Sequence, residues 1–191
     1  MAKNKVLYGF SNTHFAFQDE TTPGEYETPI LIPGSVRFTP TVEGESYKFA
    51  ADNMTYFSTF TNNGYTAEIE LSLIPQEILA ELLGWQIDSN GMLVELADAV
   101  SKPFALLFQI QGDQKNRRGV YYNCVASRPE QEATTVGDSI EVKTQVVNLT
   151  ISPIEIDGKM VVHGVLELND TNATEYNSFF TEVYKPTFAA V

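Results

Sequence analysis

Thr66-Ala67-Glu68-Ile69-Glu70-Leu71-Ser72-Leu73-Ile74 alternates polar and apolar residues as far as Leu73. In an extended chain successive side chains point to opposite faces, so Thr66, Glu68, Glu70 and Ser72 line a wet face. Ala67, Ile69, Leu71 and Leu73 line the buried one. The same period of two returns at 104–110, where Phe104, Leu106, Phe108 and Ile110 form the apolar set. After the connection at 112–119 it returns again, with Val120, Tyr122, Cys124 and Ala126 on one face. The stretch 139–152 changes phase. Ile140, Val142 and Val146 share one parity and Val147, Leu149 and Ile151 the other, which predicts a bulge or a crossing between sheets at Val146-Val147. A further strand is expected at 160–168, turned back by the hairpin dipeptide Asp157-Gly158.

One helix interrupts these strands. Pro75 suits a first helical position, Ile78, Leu79, Leu82 and Leu83 make one apolar stripe, and Gly84 suits the C-terminal cap. A weaker helical turn is expected at 174–184, ended by Pro186. The fold class that follows is mainly β, a β-sandwich or partial barrel with one flanking α-helix and a long inter-strand arm. A chain of 191 residues fits a single domain, 1–191, long enough to bury a real core.

The arm is 39–64. It holds a predicted turn at Glu43-Gly44-Glu45, an alternating piece with Tyr47 and Phe49, then Met54, Tyr56, Phe57 and Phe60 among polar residues, and a predicted turn at Asn62-Asn63-Gly64. Two readings stay open. A lone protomer has difficulty burying so many aromatics on an excursion, which points to a subunit interface. An ordinary hairpin folded over its own core would also hold them.

The balance of 12 Lys and Arg against 25 Asp and Glu gives a formal net charge of −13. Affinity for a phosphate backbone comes from cations that displace its counterions, so this balance argues against a nucleic-acid binder. A single cysteine, Cys124, excludes an intramolecular disulfide, and no His or basic cluster beside it lowers its pKa, so a buried structural thiol is expected. No apolar run approaches the length of a membrane span.

Little in the chain signals bond chemistry. His14 and His163, the only histidines, lack the spacing and partners of a zinc site. Asp88-Ser89-Asn90-Gly91 resembles the start of a calcium loop, but its Gly comes fourth and not sixth, so a tight turn explains it. Residues 112–119 carry Lys115, Arg117 and Arg118 but lack the Gly-Lys-Ser/Thr ending of a phosphate loop. They read as a hairpin connection, or as a basic patch that forms salt bridges with acidic residues of a neighbouring subunit. There is no nucleophile elbow and no base–nucleophile pair, so no catalytic, metal or cofactor residue is nominated.

Several punctuated clusters follow one another along the middle of the chain. They are Ala51-Asp52-Asn53, Asn62-Asn63-Gly64-Tyr65, Leu83-Gly84, Asp88-Ser89-Asn90-Gly91, Phe104-Ala105-Leu106-Leu107-Phe108, Gly112-Asp113, Tyr122-Asn123-Cys124 and Arg128-Pro129. With Lys3-Asn4-Lys5-Val6-Leu7-Tyr8-Gly9 and Ile32-Pro33-Gly34 before them, the chain resembles the major tail protein of long-tailed bacteriophages, in the phi13-type family. The resemblance covers nearly the whole chain.

That resemblance implies a tail tube fold and a structural subunit that self-assembles into hexameric rings stacked as a tube. The partners it implies are further copies of the chain, a tape-measure protein, a tail chaperone, and tail-tip and terminator proteins. The place it implies is the virion tail, assembled in the cytoplasm of a bacterial host, with no membrane partner. DNA would pass through the lumen without specific binding. Four strands from each of six subunits would make a barrel of roughly 48 Å backbone diameter and roughly 38 Å clear width. A duplex on the order of 20 Å across then passes about 9 Å from the wall, close to one Debye length. Six chains at −13 each carry −78, which would favour passage over adhesion.

Within this picture Glu68 and Glu70, with the polar positions Gln109 and Gln111, are expected on the lumen wall. The same alternation suits any solvent-facing sheet. Tyr47, Phe49, Tyr56 and Phe57 are expected as anchors of contacts between rings. Two alternatives belong beside this reading. One is the tube protein of a contractile injection system; the other is a β-sandwich carbohydrate-binding module of a phage tip, which exposed aromatics would also suit.

Overall fold

The structure, a computed structural model, describes residues 9–22, 24–112, 115–129 and 143–188. Its elements in chain order are β1 (Phe10–Phe17), β2 (Ile30–Leu31), β3 (Ser35–Glu43), β4 (Ser46–Ala51), β5 (Met54–Phe60), β6 (Gly64–Leu71) and α1 (Gln76–Leu83). They continue with β7 (Gln86–Ile87), β8 (Leu93–Val94), β9 (Phe104–Ile110), β10 (Arg118–Ala126), β11 (Gln145–Ile151), β12 (Ile154–Ile156), β13 (Lys159–Val161), β14 (His163–Leu166) and α2 (Ala173–Ser178). The architecture is mainly β. Eight strands form one sheet, ordered β2-β1-β9-β10-β11-β6-β3, and β14 also pairs with β10.

The sheet curls until β3 comes back to β1. The Thr13 and Ser35 hydroxyls lie 2.7 Å apart, the Ile32 amide donates to the Thr13 carbonyl at 2.8 Å, and the Phe10 and Phe38 rings stack at 6.0 Å. This is the expected partial barrel. Its interior takes the alternate residues that the sequence assigns to buried faces: Ala67, Ile69 and Leu71 from β6, Val147, Leu149 and Ile151 from β11, and Phe104 and Leu106 from β9. Each large side chain moved fully out of water there contributes about 1.5–3 kcal/mol. One end is closed by α1, which sends Leu82 and Leu83 into the same core and ends at Gly84 in the left-handed region. Pro75, expected at the first helical position, is instead the N-cap just before the helix.

The predicted face of Val120, Tyr122, Cys124 and Ala126 is divided. Between Tyr121 and Cys124 the register of β10 against β9 slips, with one extra residue on β10. A bulge of this kind reverses which side of the sheet the following residues face. Cys124 and Ala126 therefore enter the barrel, whereas Val120 and Tyr122 join a second cluster on its outside with Ala16, Ala105, Leu107, Ile156 and Phe179. The tail of the chain covers this outer half. Tyr122 donates its hydroxyl to the Tyr184 carbonyl at 3.0 Å, Tyr26 donates to the Tyr122 carbonyl at 2.7 Å, and Tyr176 donates to the Asn116 carbonyl at 2.6 Å.

Three further expectations change in detail. The strand expected at 160–168 is two short ones, because Asp157-Gly158 turns β12 into β13 and the chain then crosses to pair β14 with β10. The weak helix at 174–184 is shorter, spanning α2 alone. The bulge expected at Val146-Val147 does not form, since β11 pairs with β6 in unbroken register from Gln145 to Ile151. Ile140 and Val142 of the predicted phase change, Asp113 and Gln114, and residues 3–8 of the N-terminal cluster lie outside the described residues.

Candidate assembly surfaces

The arm is a two-stranded ribbon that stands away from the barrel. No turn forms at 43–45 or 62–64: Glu43 still faces Gly64, the Thr61 amide donates to the Glu45 carbonyl at 3.0 Å, and Ser46 faces Phe60. So β3 runs on into β4 and β5 runs on into β6 as two rails, with one reversal at Asp52-Asn53. Both residues have positive φ, 52° and 61°, as a tight hairpin turn requires. The sequence misplaced the reversal because Glu-Gly-Glu and Asn-Asn-Gly have turn composition. Here they mark the point where the ribbon leaves the sheet. Residues 39–43 of the expected arm belong to the sheet itself.

In β4 and β5 every residue is exposed except Ala51, which is half-buried. Residues opposite one another in an antiparallel pair share a face. Phe49 faces Phe57, Tyr47 faces Thr59 and Ala51 faces Met54, so one side of the ribbon is apolar along its length. Tyr56 falls at the register slip between Phe49 and Ala50 and is the most open of the aromatics at 74%, while Phe49 is the least open at 50%. The reading of a hairpin folded over its own core is thereby corrected, since these rings meet solvent.

A second surface is the outer half of the barrel that the C-terminal segment leaves bare. Register places Arg37, Thr39 and Thr41 of β3 beside Glu70, Glu68 and Thr66 of β6, and those beside Val146, Asn148 and Thr150 of β11. Thr39, Thr41, Thr66, Asn148 and Thr150 are exposed. The wet face expected for Glu68 and Glu70 is present, but one of its two carboxylate charges is offset. Arg37 bridges both carboxylates, donating from Nε to Glu70 Oε2 at 3.2 Å and from its terminal nitrogen to Glu68. A hydrogen bond from the Thr144 hydroxyl and then one from Arg37 hold the Glu70 carboxyl below the usual carboxylate range. Nothing in the sequence links residue 37 to residues 68 and 70; only the β3–β6 register does.

Gln109 and Gln111 do not join this patch. Gln109 is level with Ser11 and Arg118 on β9, three strands from β6 in the sheet order, on the side of the sheet that carries Ala105 and Leu107. Gln111 lies past the end of β9, where its amide donates to the Gly9 carbonyl at 2.8 Å. The basic positions also have partners within the chain. Lys115 pairs with Glu167 at 2.7 Å and Arg117 approaches the same carboxylate at 3.9 Å. Arg118 stacks on Tyr176 at 3.9 Å and on Phe180 at 4.7 Å, and donates to the Tyr176 carbonyl. Packed between two rings of its own protomer, Arg118 anchors the C-terminal segment.

A third surface is a slot where the barrel fails to close. Between the unpaired edges of β1 and β3 lies an opening of about 320 Å³, lined by Gly9, Phe10, Phe38, Pro40, Phe108, Ile110 and Tyr121. Its floor is an aromatic cluster, with Phe38 5.6 Å from Phe108 and 5.3 Å from Tyr121.

Elsewhere the polar side chains are structural. His14 stacks on Phe180 at 4.7 Å with Nδ1 2.9 Å from the Asn12 carbonyl, and burial lowers its pKa. Asp88 accepts from the Asn90 and Met92 amides, both at 2.8 Å, which is the tight turn expected there. Among the described residues no three His, Cys, Asp or Glu side chains gather as a metal site, and no helix is long and apolar enough to cross a membrane.

Neither a protein-family profile nor a curated protein matches the chain. The phi13-type resemblance accordingly remains a reading of the residues. Among solved structures the chain is similar to one from the sheath–tube complex of the PVC extracellular contractile injection system in its extended state. That alignment has 9% identity, 86% of this chain and 94% of that chain covered, and a TM-score of 0.47. It is also similar to a chain from the tube-terminating cap of the anti-feeding prophage, with 8% identity, 86% and 95% covered, and a TM-score of 0.46. A third is from the six-fold symmetrised baseplate of the anti-feeding prophage, with 10% identity, 87% and 98% covered, and a TM-score of 0.48. At these identities and scores the likeness assigns no residue a role.

Proposed function

We propose that this protein is a structural subunit of a phage or phage-like tail tube, assembling with copies of itself into stacked rings around a channel for DNA. The arm carries this reading. A ribbon whose residues are almost all exposed, with five aromatics on it, costs solubility in a monomer and is stable only as half of an interface. Because it is rooted in the main sheet through β3 and β6, its contacts are coupled to the orientation of the barrel. The bare half of the sheet, rich in hydroxyl and amide groups, is the proposed channel wall, with Glu68 and Glu70 facing the lumen and Arg37 between them.

The expected assembly is a hexameric ring, with Tyr47, Phe49, Tyr56 and Phe57 as its anchors to neighbours. Negative-stain electron microscopy of the purified protein over a concentration series, beside size-exclusion chromatography, tests it. Rings or hollow tubes are expected. A strict monomer at high concentration that forms no tube when a tail-tip complex is added would overturn the reading and leave a binding module.

The tube of a contractile injection system is the second form of the same proposal, and its difference from a long-tailed phage tube is a sheath. Co-assembly with a contractile sheath subunit separates the two: sheath bound around formed tubes selects the contractile form, and bare tubes in its presence select the long-tailed one.

A further inference from the structure

We propose that the aromatic face of the β4–β5 arm of one protomer seats in the open slot between β1 and β3 of a second copy of this chain. This rests on the assembly reading above and adds the place where the arm lands.

The slot is made by the fold. β1 and β3 meet at Thr13 and Ser35 but carry no backbone ladder towards Phe10 and Pro40, so the seam there is lined by rings and not bridged by backbone hydrogen bonds. Pro40 has no N–H to offer, so its edge of β3 cannot extend a strand ladder through that point. The slot therefore accepts side chains and not an added strand. Its lining of Phe10, Phe38, Phe108, Ile110 and Tyr121 is apolar, which selects an apolar occupant.

The same chain displays the complementary element. The three aromatics that share the apolar side, Tyr47, Phe49 and Phe57, leave on the order of 300 Å² of side-chain surface open, by the usual 150–250 Å² of a whole aromatic side chain. That is on the order of two fifths of the roughly 800 Å² per partner in a standard protein interface, the share its anchors supply. Aromatic anchors filling a partner's pocket are also how such interfaces concentrate their affinity. The arm does not fill its own slot, because its rings are exposed in the protomer. Arm-to-slot contact is heterologous: each copy gives one arm and receives another. Such a contact propagates into a closed ring or a filament, whereas an arm-to-arm contact would end at a dimer.

Engineered cysteines in the full-length chain test this, since the native Cys124 is wholly buried and stays silent under mild oxidation. One chain carries Phe57→Cys in the arm and another Pro40→Cys at the slot, with Ile110→Cys as a second slot position. The mixture, oxidised with a copper catalyst under assembling conditions, is expected to give a disulfide-linked heterodimer. A chain with both Phe57→Cys and Pro40→Cys is expected to give a ladder of covalent multimers. Self-linking of Phe57→Cys alone would replace the slot with an arm-to-arm contact. Intrachain linking of Leu7→Cys to Pro40→Cys would assign the slot to the chain's own N-terminal residues. Rings or tubes formed without any arm-to-slot disulfide at either slot position would overturn the docking and leave the tube reading intact. Absence of both assembly and disulfide, where the wild-type chain also forms no rings or tubes under the same conditions, would overturn the two together.

Discussion

Arg37 donates from Nε to Glu70 Oε2 at 3.2 Å across the β3–β6 pair, and with its second contact to Glu68 it fixes the charge of the only sheet region here proposed as a channel wall. The chain as a whole carries −13, yet this patch holds two carboxylates and one guanidinium. Glu25, Glu27, Glu175 and Glu182 instead gather around the cleft beside the C-terminal segment. A wall of this kind repels a duplex weakly and offers it little to bind. Removing the cation with Arg37→Ala is expected to raise the anodic mobility of assembled tubes while leaving the unfolding midpoint of the protomer nearly unchanged, since exposed pairs add little to stability.

Glu70 supplies a site-specific check on the same contact. Its folded pKa is depressed, first by the Thr144 hydroxyl and then by Arg37, so its contribution to stability is present above the ordinary carboxylate pKa of about 4.3 and is lost as pH falls through the lower folded value. Carboxyl NMR titration is expected to show Glu70 below that value. Thr144→Val should move it upward, and Thr144→Val with Arg37→Ala further still.

His14 acts in a higher pH window. Burial against Phe180 lowers its pKa despite the Asn12 carbonyl, so the unfolded chain takes up a proton before the folded one does. Stability is then expected to fall as pH drops through about 6.5, the ordinary imidazole value, towards the lower folded one. Chemical denaturation at steps from pH 7.5 to pH 5 checks this. His14→Phe should flatten that part of the profile.

The barrel interior was readable because period-two alternation survives in β6, where Ala67, Ile69 and Leu71 are buried as assigned, although Leu73 beyond its end is exposed; in β9 Ala105 and Leu107 are buried as well, on the outer face that the C-terminal segment covers. It failed at Tyr122, where one bulged residue on β10 reverses the face and nothing local announces it. It failed in the arm for a different reason: Gly44 and Gly64 have turn composition but serve as kinks, and a kink differs from a turn only by what the chain meets beyond it. The Arg37 bracket and the packing of Arg118 between Tyr176 and Phe180 span 31 to 62 residues of sequence. Long-range register decides contacts of that kind, and a single sequence does not encode register in any local pattern.

Gly64 makes the kink testable. Its φ is +107°, and a Cβ there would lie 2.0 Å from the Ile151 carbonyl oxygen, so alanine meets both a backbone penalty and an immovable atom. Gly64→Ala is expected to cost about 2 kcal/mol or more in urea unfolding. Gly158, at φ +71° with nothing within 4 Å of its Cβ position, isolates the backbone part, and Gly158→Ala is expected to cost about 1 kcal/mol.

Cys124 separates burial from reactivity. The thiol is wholly inside the barrel, burial raises its pKa, and its sulfur lies 3.7 Å from the Tyr121 carbonyl oxygen. A thiol reagent such as Ellman's reagent is expected to leave it unmodified in the native protein and to titrate one equivalent after denaturation. Cys124→Ser places a hydroxyl in the same apolar site and is expected to destabilise the fold by about 1–3 kcal/mol.

The arm predicts a dissociation between stability and assembly. Side chains half or more exposed in their own protomer contribute little to its folding, and surface substitutions of this sort change stability by about 0.5 kcal/mol or less. Phe49→Ser with Phe57→Ser removes the facing pair at the centre of the apolar side. The double variant is expected to unfold at the wild-type urea midpoint and to stay monomeric in size-exclusion chromatography at concentrations where the wild type forms rings or tubes. A variant that lost stability would place these rings in the protomer's own core, contrary to their exposure. One that still assembled with wild-type concentration dependence would move the interface away from the arm, to the open edges of the barrel.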